Sequence, residues 1–415
     1  MLRRSAAAAV FLAIFCGSLE LGLRLVPQAI PLTVLVRFQP DVRSAVAEAR
    51  GLPTRSKARD LPRDDGGPQR HIYQPGITFH MHAPDPGQVS TIRIDDAGFC
   101  NPAGSSYQRA HIDLLAIGDS FTHCTTVRPE ETWVAEVSQE TGLSTYDLGV
   151  GGVGPYEYLE ILTHFGLVKT PRIVVMNIYE GNDLRDASLY HDYRSARGDA
   201  AAQSADPGMR LRRAFEASWL GRHSYAATLL VGGALALANE VDEPDPVAKR
   251  AGIRKGSIDF RYRLDFGASS VAMNPEDTDR DEVVHAMLVR RGVVSFELFD
   301  PALRRYAMLA HEHGFVPVVS YTPAAYTTYA EFARFDDPSL APLMREFSDA
   351  QRAWFARRCR ELGLPFLDLT NALRTAARTG RERELLYFPS NLHLSQAGHR
   401  VVAASLRDFL ATLPR

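Results

Sequence analysis

"LLAIGDSFTHCTTVRPEETW", Leu114 to Trp133, runs four apolar residues straight into Gly-Asp-Ser, with a histidine and a cysteine close behind. The apolar run has the length of a buried strand, and Gly118, Asp119 and Ser120 mark the turn that ends it. Ser120 then has two readings. It is a nucleophile at a strand's carboxyl end, or it caps the next helix, a common use of Ser and Asp. The rest of the chain decides by supplying, or failing to supply, a base and an oxyanion site.

Outward from that stretch, strand and helix patterns alternate. "EETWVAEVSQETG" predicts a helix with Trp133, Val134 and Val137 on one side, "STYDLGV" a strand, "GPYEYLEILTHFGL" a helix and "RIVVMNIY" a strongly apolar strand. Further on, "PALRRYAMLAHEHG" reads as helix, "FVPVVSYTP" as strand, "LMREFSDAQRAWFARRCRELG" as helix and "LPFLDL" as strand. "SQAGHRVVAASLRDFLATL" closes the chain as a helix with Val402, Leu406, Phe409 and Leu413 in a stripe. Five apolar strands alternating with helices predict an α/β fold whose parallel sheet is covered on both faces. In such sheets the ligand crevice lies beyond the carboxyl ends of the strands.

The alternation breaks over about 186–296, read as a helical insertion after the third strand. Within it, "SYAATLLVGGALALANE" is expected to be an amphipathic or buried helix. The acidic stretch Asn274–Glu282 lacks EF-hand spacing and is expected to be a solvated loop. Short alternating segments from about His71 to Gly98 suggest one or two strands ahead of the main alternation.

A formal net charge of −2 argues against a nucleic-acid binder, which would concentrate basic residues on one face. Lysines number only Lys57, Lys169, Lys249 and Lys255, so arginine carries nearly all the positive charge. Four cysteines without CxxC or Cys/His ligand spacing imply no structural metal. Cys100 and Cys124 are expected to be free, buried thiols, with their pairing left open should the domain be exported. At the N-terminus, Arg3 and Arg4 precede an uncharged run from Ala6 to Leu19, the layout of an export signal. No small-x-small cleavage site follows. Residues 1–27 are therefore read as a signal-anchor or signal peptide, 28–70 as a polar linker or stalk, and 71–415 as the main domain.

Three strand ends and one late loop carry the chemistry. The first strand ends in "GDSFT", which offers the Ser120 hydroxyl. The second ends in "DLGVGGVGP", whose glycines let backbone N–H groups approach a developing oxyanion. After the third strand comes "YEGNDL", with the Asn182 amide at the same edge. The late loop "YFPSNLHLSQAGH" brings in His393 just before the last helix. Each element alone is common in proteins. Together, in this order, they match one catalytic design.

That combination resembles the SGNH/GDSL hydrolase family. Ser120 in "GDS" fits its nucleophile, Gly152 in "GVGGVGP" its glycine oxyanion donor, Asn182 in "GND" its asparagine oxyanion donor, and His393 in "NLHLSQAGH" its general base. The resemblance covers about 114–410, less the insertion. It implies esterase or acyltransferase activity through an acyl-serine. A basic-then-apolar N-terminus ahead of such a domain also resembles bacterial envelope members that act on sugar esters.

One departure stands out. The family carries Asp two or three residues before the histidine, where this chain has Asn391 and Ser390. Three readings follow: Asn391 orients the imidazole, a carboxylate such as Asp368 does so, or the site is a degenerate copy. For Asp368 the plainer role is capping the helix that starts near Thr370. Asp119 is expected to fix the turn, His123 to sit on the helix after the nucleophile, and His399 in the first turn of the last helix.

The expectation is thus a flavodoxin-like three-layer sandwich with a parallel sheet of about five strands, a helical insertion after strand three and an N-terminal membrane helix. The expected function is an SGNH-type serine esterase acting on an acyl, above all acetyl, ester of an envelope or extracellular glycan, held outside the cytoplasm. Ser120, His393, Gly152, Asn182 and Asn391 form the site, without cofactor or metal, and nucleic acid is not a partner. The alternatives are an O-acetyltransferase and a glycan-binding pseudoenzyme.

Overall fold

The computed structural model describes residues 2–26, 58–80, 83–104, 107–198, 215, 218–231, 258–273, 281–380 and 384–413. The chain divides into two units, one of residues 57–195 and 244–415, the other of 1–56 and 196–243.

The larger unit opens with two small antiparallel pairs. β1 (Ala58–Asp60) pairs with β2 (His71–Tyr73), and β3 (Thr78–His80) with β4 (Thr91–Arg93). The main strands follow: β5 (Leu114–Ile117), β6 (Thr145–Asp147) and β7 (Ile173–Tyr179). After them come β8 (Tyr262–Asp265), β9 (Ser270–Met273), β10 (Val316–Thr322), β11 (Ala333–Phe335) and β12 (Phe366–Asp368). β12, β10, β7, β5 and β6 form, in that order, one parallel five-stranded sheet. β5 and β7 are buried at every residue, which is why both read as unbroken apolar runs.

The order reverses direction at β5. The chain steps from β5 to β6 on one side, then returns past β5 to β7 and onward to β10 and β12. Right-handed crossovers therefore place the helix after β5 on one face and those after β6, β7 and β10 on the other. Packing agrees. The Trp133–Thr141 helix lies against the Gln396–Leu410 helix, while Asp300–His313 packs on both Pro155–Ile161 and Leu340–Leu362. Tyr306 ties the second layer to the sheet, its hydroxyl donating to Val174 O at 2.7 Å. This is the flavodoxin-like arrangement, and its reversal opens a crevice between β5 and β7 at their carboxyl ends.

Four sequence expectations need correction. The insertion is not purely helical: β8 and β9 form a hairpin that β11 extends into a three-stranded antiparallel sheet. Residues 274–280 of the acidic stretch lie outside the described residues, but Glu282 is a buried residue of the Asp281–Arg290 helix and not part of a solvated loop. The stretch read as linker is structured from Ala58 onward. Beyond β1, the largely covered Arg63 side chain pairs with Glu157 at 2.6 Å and Asp65 at 2.7 Å, and Glu160 accepts the Asp64 N–H at 2.6 Å. Finally, Cys100 and Cys124 are joined as a disulfide, not free, with Cα atoms 6.0 Å apart. Their 24-residue separation and lack of any spacing motif hid the pair from the sequence.

In the smaller unit a helix spans Leu2–Leu25. Glu20, which interrupts its apolar run, has a local task. Its carboxylate accepts hydrogen bonds from the Ser224 hydroxyl (2.8 Å) and the Tyr225 and Ala226 N–H groups (3.2 and 2.8 Å), capping the helical residues 225–231. The rest of the "SYAATLLVGGALALANE" stretch lies outside the described residues. Among the described residues no helix is long and apolar enough to cross a membrane, so the expected membrane helix has no support here.

Candidate active site

β5 ends at Ile117 and the chain turns at once. The Asp119 carboxylate accepts the Phe121 N–H at 2.8 Å, and its carbonyl accepts the N–H groups of Thr122 (3.1 Å) and His123 (3.0 Å). Ser120 lies in this turn and starts no helix. The next α-helix begins at Trp133, and its cap is Thr132, whose Oγ1 accepts the Ala135 N–H at 3.3 Å. The capping reading of Ser120 is excluded, and His123 sits on the turn instead of a helix.

His393 comes to Ser120 from 273 residues downstream, with Nε2 2.8 Å from Oγ. Its Nδ1 lies 3.1 Å from the main-chain oxygen of Asn391. A carbonyl only accepts, so Nδ1 carries the hydrogen and Nε2 turns its lone pair to the serine hydroxyl. That is the tautomer a general base needs. The acid's place is thus taken by a backbone carbonyl. The Asn391 side chain does not face the ring, as the sequence suggested. Its Oδ1 accepts the His393 N–H at 3.0 Å, an Asx turn that holds the carbonyl in position. Leu392 between them adopts φ +62°, a left-handed conformation costly for a branched residue.

Asp368 is engaged elsewhere. It takes the Arg352 Nε at 2.8 Å and the Thr370 N–H at 2.9 Å, the capping role. His399 Nδ1 accepts the Trp133 N–H at 3.1 Å. Burial, reinforced by the nearby His393, pushes both His123 and His399 down to about 3, so both are neutral at ordinary pH and neither rivals His393.

The residues expected as oxyanion donors follow the other two strands. After β6 the glycine loop presses on the nucleophile turn: a Cβ at Gly149 would meet the His123 nitrogen at 2.6 Å, and one at Gly151 would lie 3.8 Å from Ser120 Cβ. Gly152 next to it adopts φ +77°, the left-handed conformation that favours glycine. Neither the Ser120 nor the Gly152 N–H is taken by a backbone partner among the described residues. Asn182 follows β7, and its amide donates to Asp186 Oδ2 at 3.0 Å and interacts with Asp119, the nucleophile's neighbour. Strands stand about 4.8 Å apart, so the ends of adjacent β5 and β7 bring Ser120 and Asn182 to one crevice.

Beneath the crevice lie three buried carboxyls. Asp183 accepts the Tyr158 hydroxyl at 2.6 Å and the Tyr179 N–H at 2.9 Å. Burial pushes Asp119 up to about 7, with the nearby Asp186 adding to the rise and the Phe121 N–H and Asn182 amide opposing it. Asp186 rises to about 6, again through burial, against the pull of Arg185.

Three contributors escaped the sequence. Phe121 stacks on His393 (centroids 5.0 Å apart) and on Tyr179 (3.6 Å), backing the imidazole with a rigid face. Tyr73, on β2, stacks on His123, and its hydroxyl is near Gly151. Asp85 grips the histidine loop through Ser390. Phe121 was adjacent to the motif and could have been named. Tyr73 and Asp85 sit in a segment that carried no chemical signature. Among the described residues, metal-ligating atoms gather at Cys100, His123 and Cys124, within 4.8 Å of one another, but the disulfide leaves no thiolate to bind an ion.

No protein-family model matches the chain, and a search of curated proteins finds no match. Several solved structures are similar at low level. A lipolytic protein of the G-D-S-L family from Desulfitobacterium hafniense shares 13% identity at TM-score 0.35, covering 72% of this chain and 99% of its own. An acetyl xylan esterase shares 14% at TM-score 0.35, covering 73% and 100%. The acetylxylan esterase of Geobacillus stearothermophilus shares 13% at TM-score 0.35, covering 74% and 98%. Likeness of this degree carries no argument about fold or activity, which rest on the geometry above.

Proposed function

We propose that this chain is a serine esterase of the SGNH type, acting on an acyl ester, above all an acetyl ester of an envelope or extracellular glycan. One observation carries the reading: His393 Nε2 lies 2.8 Å from Ser120 Oγ while Nδ1 is pinned on a carbonyl. In the proposed reaction, Nε2 takes the hydroxyl proton as Oγ bonds to the ester carbon. The negative charge that develops on the carbonyl oxygen is met by the N–H groups of Ser120 and Gly152 and the amide of Asn182, each such donor contributing roughly 3–4 kcal/mol in comparable sites. The C–O bond to the alcohol then breaks, and the leaving oxygen takes the proton back from Nε2. Water repeats the sequence on the acyl-serine and releases the acid; a sugar hydroxyl in its place would make the same chemistry a transfer.

The reading also places the larger unit outside the cytoplasm, with the N-terminal segment as its tether. The Arg3, Arg4 and apolar layout of that segment supports this, as does the Cys100–Cys124 disulfide, since such bonds persist in oxidising compartments.

The test is hydrolysis of an aryl acetate and labelling by a fluorophosphonate, in the full chain and in Ser120→Ala. Both signals are expected in the parent and neither in the variant. Undiminished turnover in Ser120→Ala would remove the nucleophile assignment.

A further inference from the structure

The loop that carries His393 is held by a carboxylate that is distant in sequence. Asp85, buried between β3 and β4, accepts the Ser390 N–H at 2.9 Å through one oxygen and the Ser390 hydroxyl at 2.8 Å through the other. Ser390 stands directly before Asn391, whose carbonyl takes the imidazole hydrogen. The rest of the loop is tightly tied: Leu392 N–H donates to Phe388 O at 2.9 Å, and Phe388 N–H to His393 O at 2.8 Å. Within that ring of bonds, Ser390 is the link to the N-terminal hairpins, and its bond to Asp85 uses both carboxylate oxygens. Charge-assisted hydrogen bonds of this kind are about twice as strong as neutral ones.

From this geometry, and resting on the esterase reading above, we infer that Asp85 is the positioning residue of the catalytic histidine: by clamping Ser390 it fixes the Asn391 carbonyl on His393 Nδ1. The carboxylate that the sequence lacks beside the histidine is supplied one layer further out, by a residue 305 positions before Ser390. It acts through the backbone and does not touch the ring. A carbonyl held on Nδ1 favours the charged imidazole, so loosening it lowers the pKa of His393. The other histidines that interact with His393, namely His123 and His399, are neutral and supply no compensating charge.

The experiment compares kcat, KM and the pH profile of kcat/KM for the full chain with Asp85→Asn, Asp85→Glu and Ser390→Ala, using an aryl acetate. Asp85→Asn is expected to lower kcat roughly 10- to 100-fold with KM little changed, the scale of a small misplacement of a reacting group. Its acid limb should move to lower pH. Ser390→Ala keeps the N–H bond and should show a smaller fall in kcat with the limb moved in the same direction; Asp85→Glu should recover part of kcat and the parent limb. Thermal unfolding identifies a variant that fails to fold, in which case Ser390→Ala decides. Parent kcat and an unmoved limb in folded Asp85→Asn, or equal losses with unmoved limbs in all three, would overturn the inference. Absence of Ser120-dependent turnover in the parent would instead retire the esterase reading itself.

Discussion

At the scale of single residues, the site turns on what lies behind His393. Residue identity revealed Ser120 and His393 because a hydroxyl and an imidazole are chemically distinctive. It could not reveal the group on Nδ1, because every residue has a main-chain carbonyl and only the fold says which one is aimed. The substitution that best separates side chain from backbone is at Asn391. Asp in its place can still accept the His393 N–H, so Asn391→Asp is expected to leave kcat close to the parent value. Asn391→Ala loses the Asx turn and should lower kcat about 10-fold by freeing the carbonyl. Both are read from aryl acetate turnover at saturating substrate. A gain of several powers of ten in Asn391→Asp would mean that the new carboxylate has swung onto Nδ1, the role for which it is worth that much in serine proteases.

Among elements, the five strands of the parallel sheet were readable because burial on both faces demands unbroken apolar runs. β8, β9 and β11 were not: each is three or four residues long, and the partner of β8 in β11 lies about seventy positions away. The strands β2 to β4 were seen only as vague alternation and β1 as linker, yet their segment brings Tyr73 and Cys100 to the nucleophile turn and Asp85 to the histidine loop. The disulfide fastens that segment at Cys124, four residues beyond Ser120. For a loop of this size, loss of the bond costs about 3 kcal/mol. Cys100→Ser is therefore expected to lower Tm by several degrees, with a reductant doing the same to the parent and nothing further to the variant. Thiol labelling of protein taken directly from cells checks the compartment. Protected Cys100 and Cys124 fit an exported unit, and reactive ones would move it to a reducing space.

For the whole molecule, buried ionisable groups set the pH dependence of stability. Asp119 and Glu180, both pushed up to about 7 by burial, and Asp186, pushed up to about 6, keep protons that the unfolded chain releases near its ordinary carboxyl range. The folded state binds more protons over that interval, so these groups remove stability as pH rises from about 4 to about 7. His123 and His399, pushed down to about 3, act oppositely: the unfolded chain protonates below about 6.5 and the folded one does not, so they remove stability as pH falls. The trends offset each other at intermediate pH, and above about 6.5 the histidine contribution fades and the carboxyl trend prevails. Tm is expected to fall between pH 6.5 and 7.5, and Asp119→Asn to flatten that fall, as followed by thermal unfolding across buffers. A rising Tm over the same interval would mean that the carboxyls are ionised in the fold. The separation of 273 positions between Ser120 and His393 carries a further consequence, one of timing. Ribosomes add about 5–20 residues each second, so the nucleophile waits on the order of tens of seconds for its base to be made. On the proposed esterase reading, the emerging chain holds throughout synthesis a serine still without its base, and an interrupted or truncated product never acquires the means to hydrolyse esters.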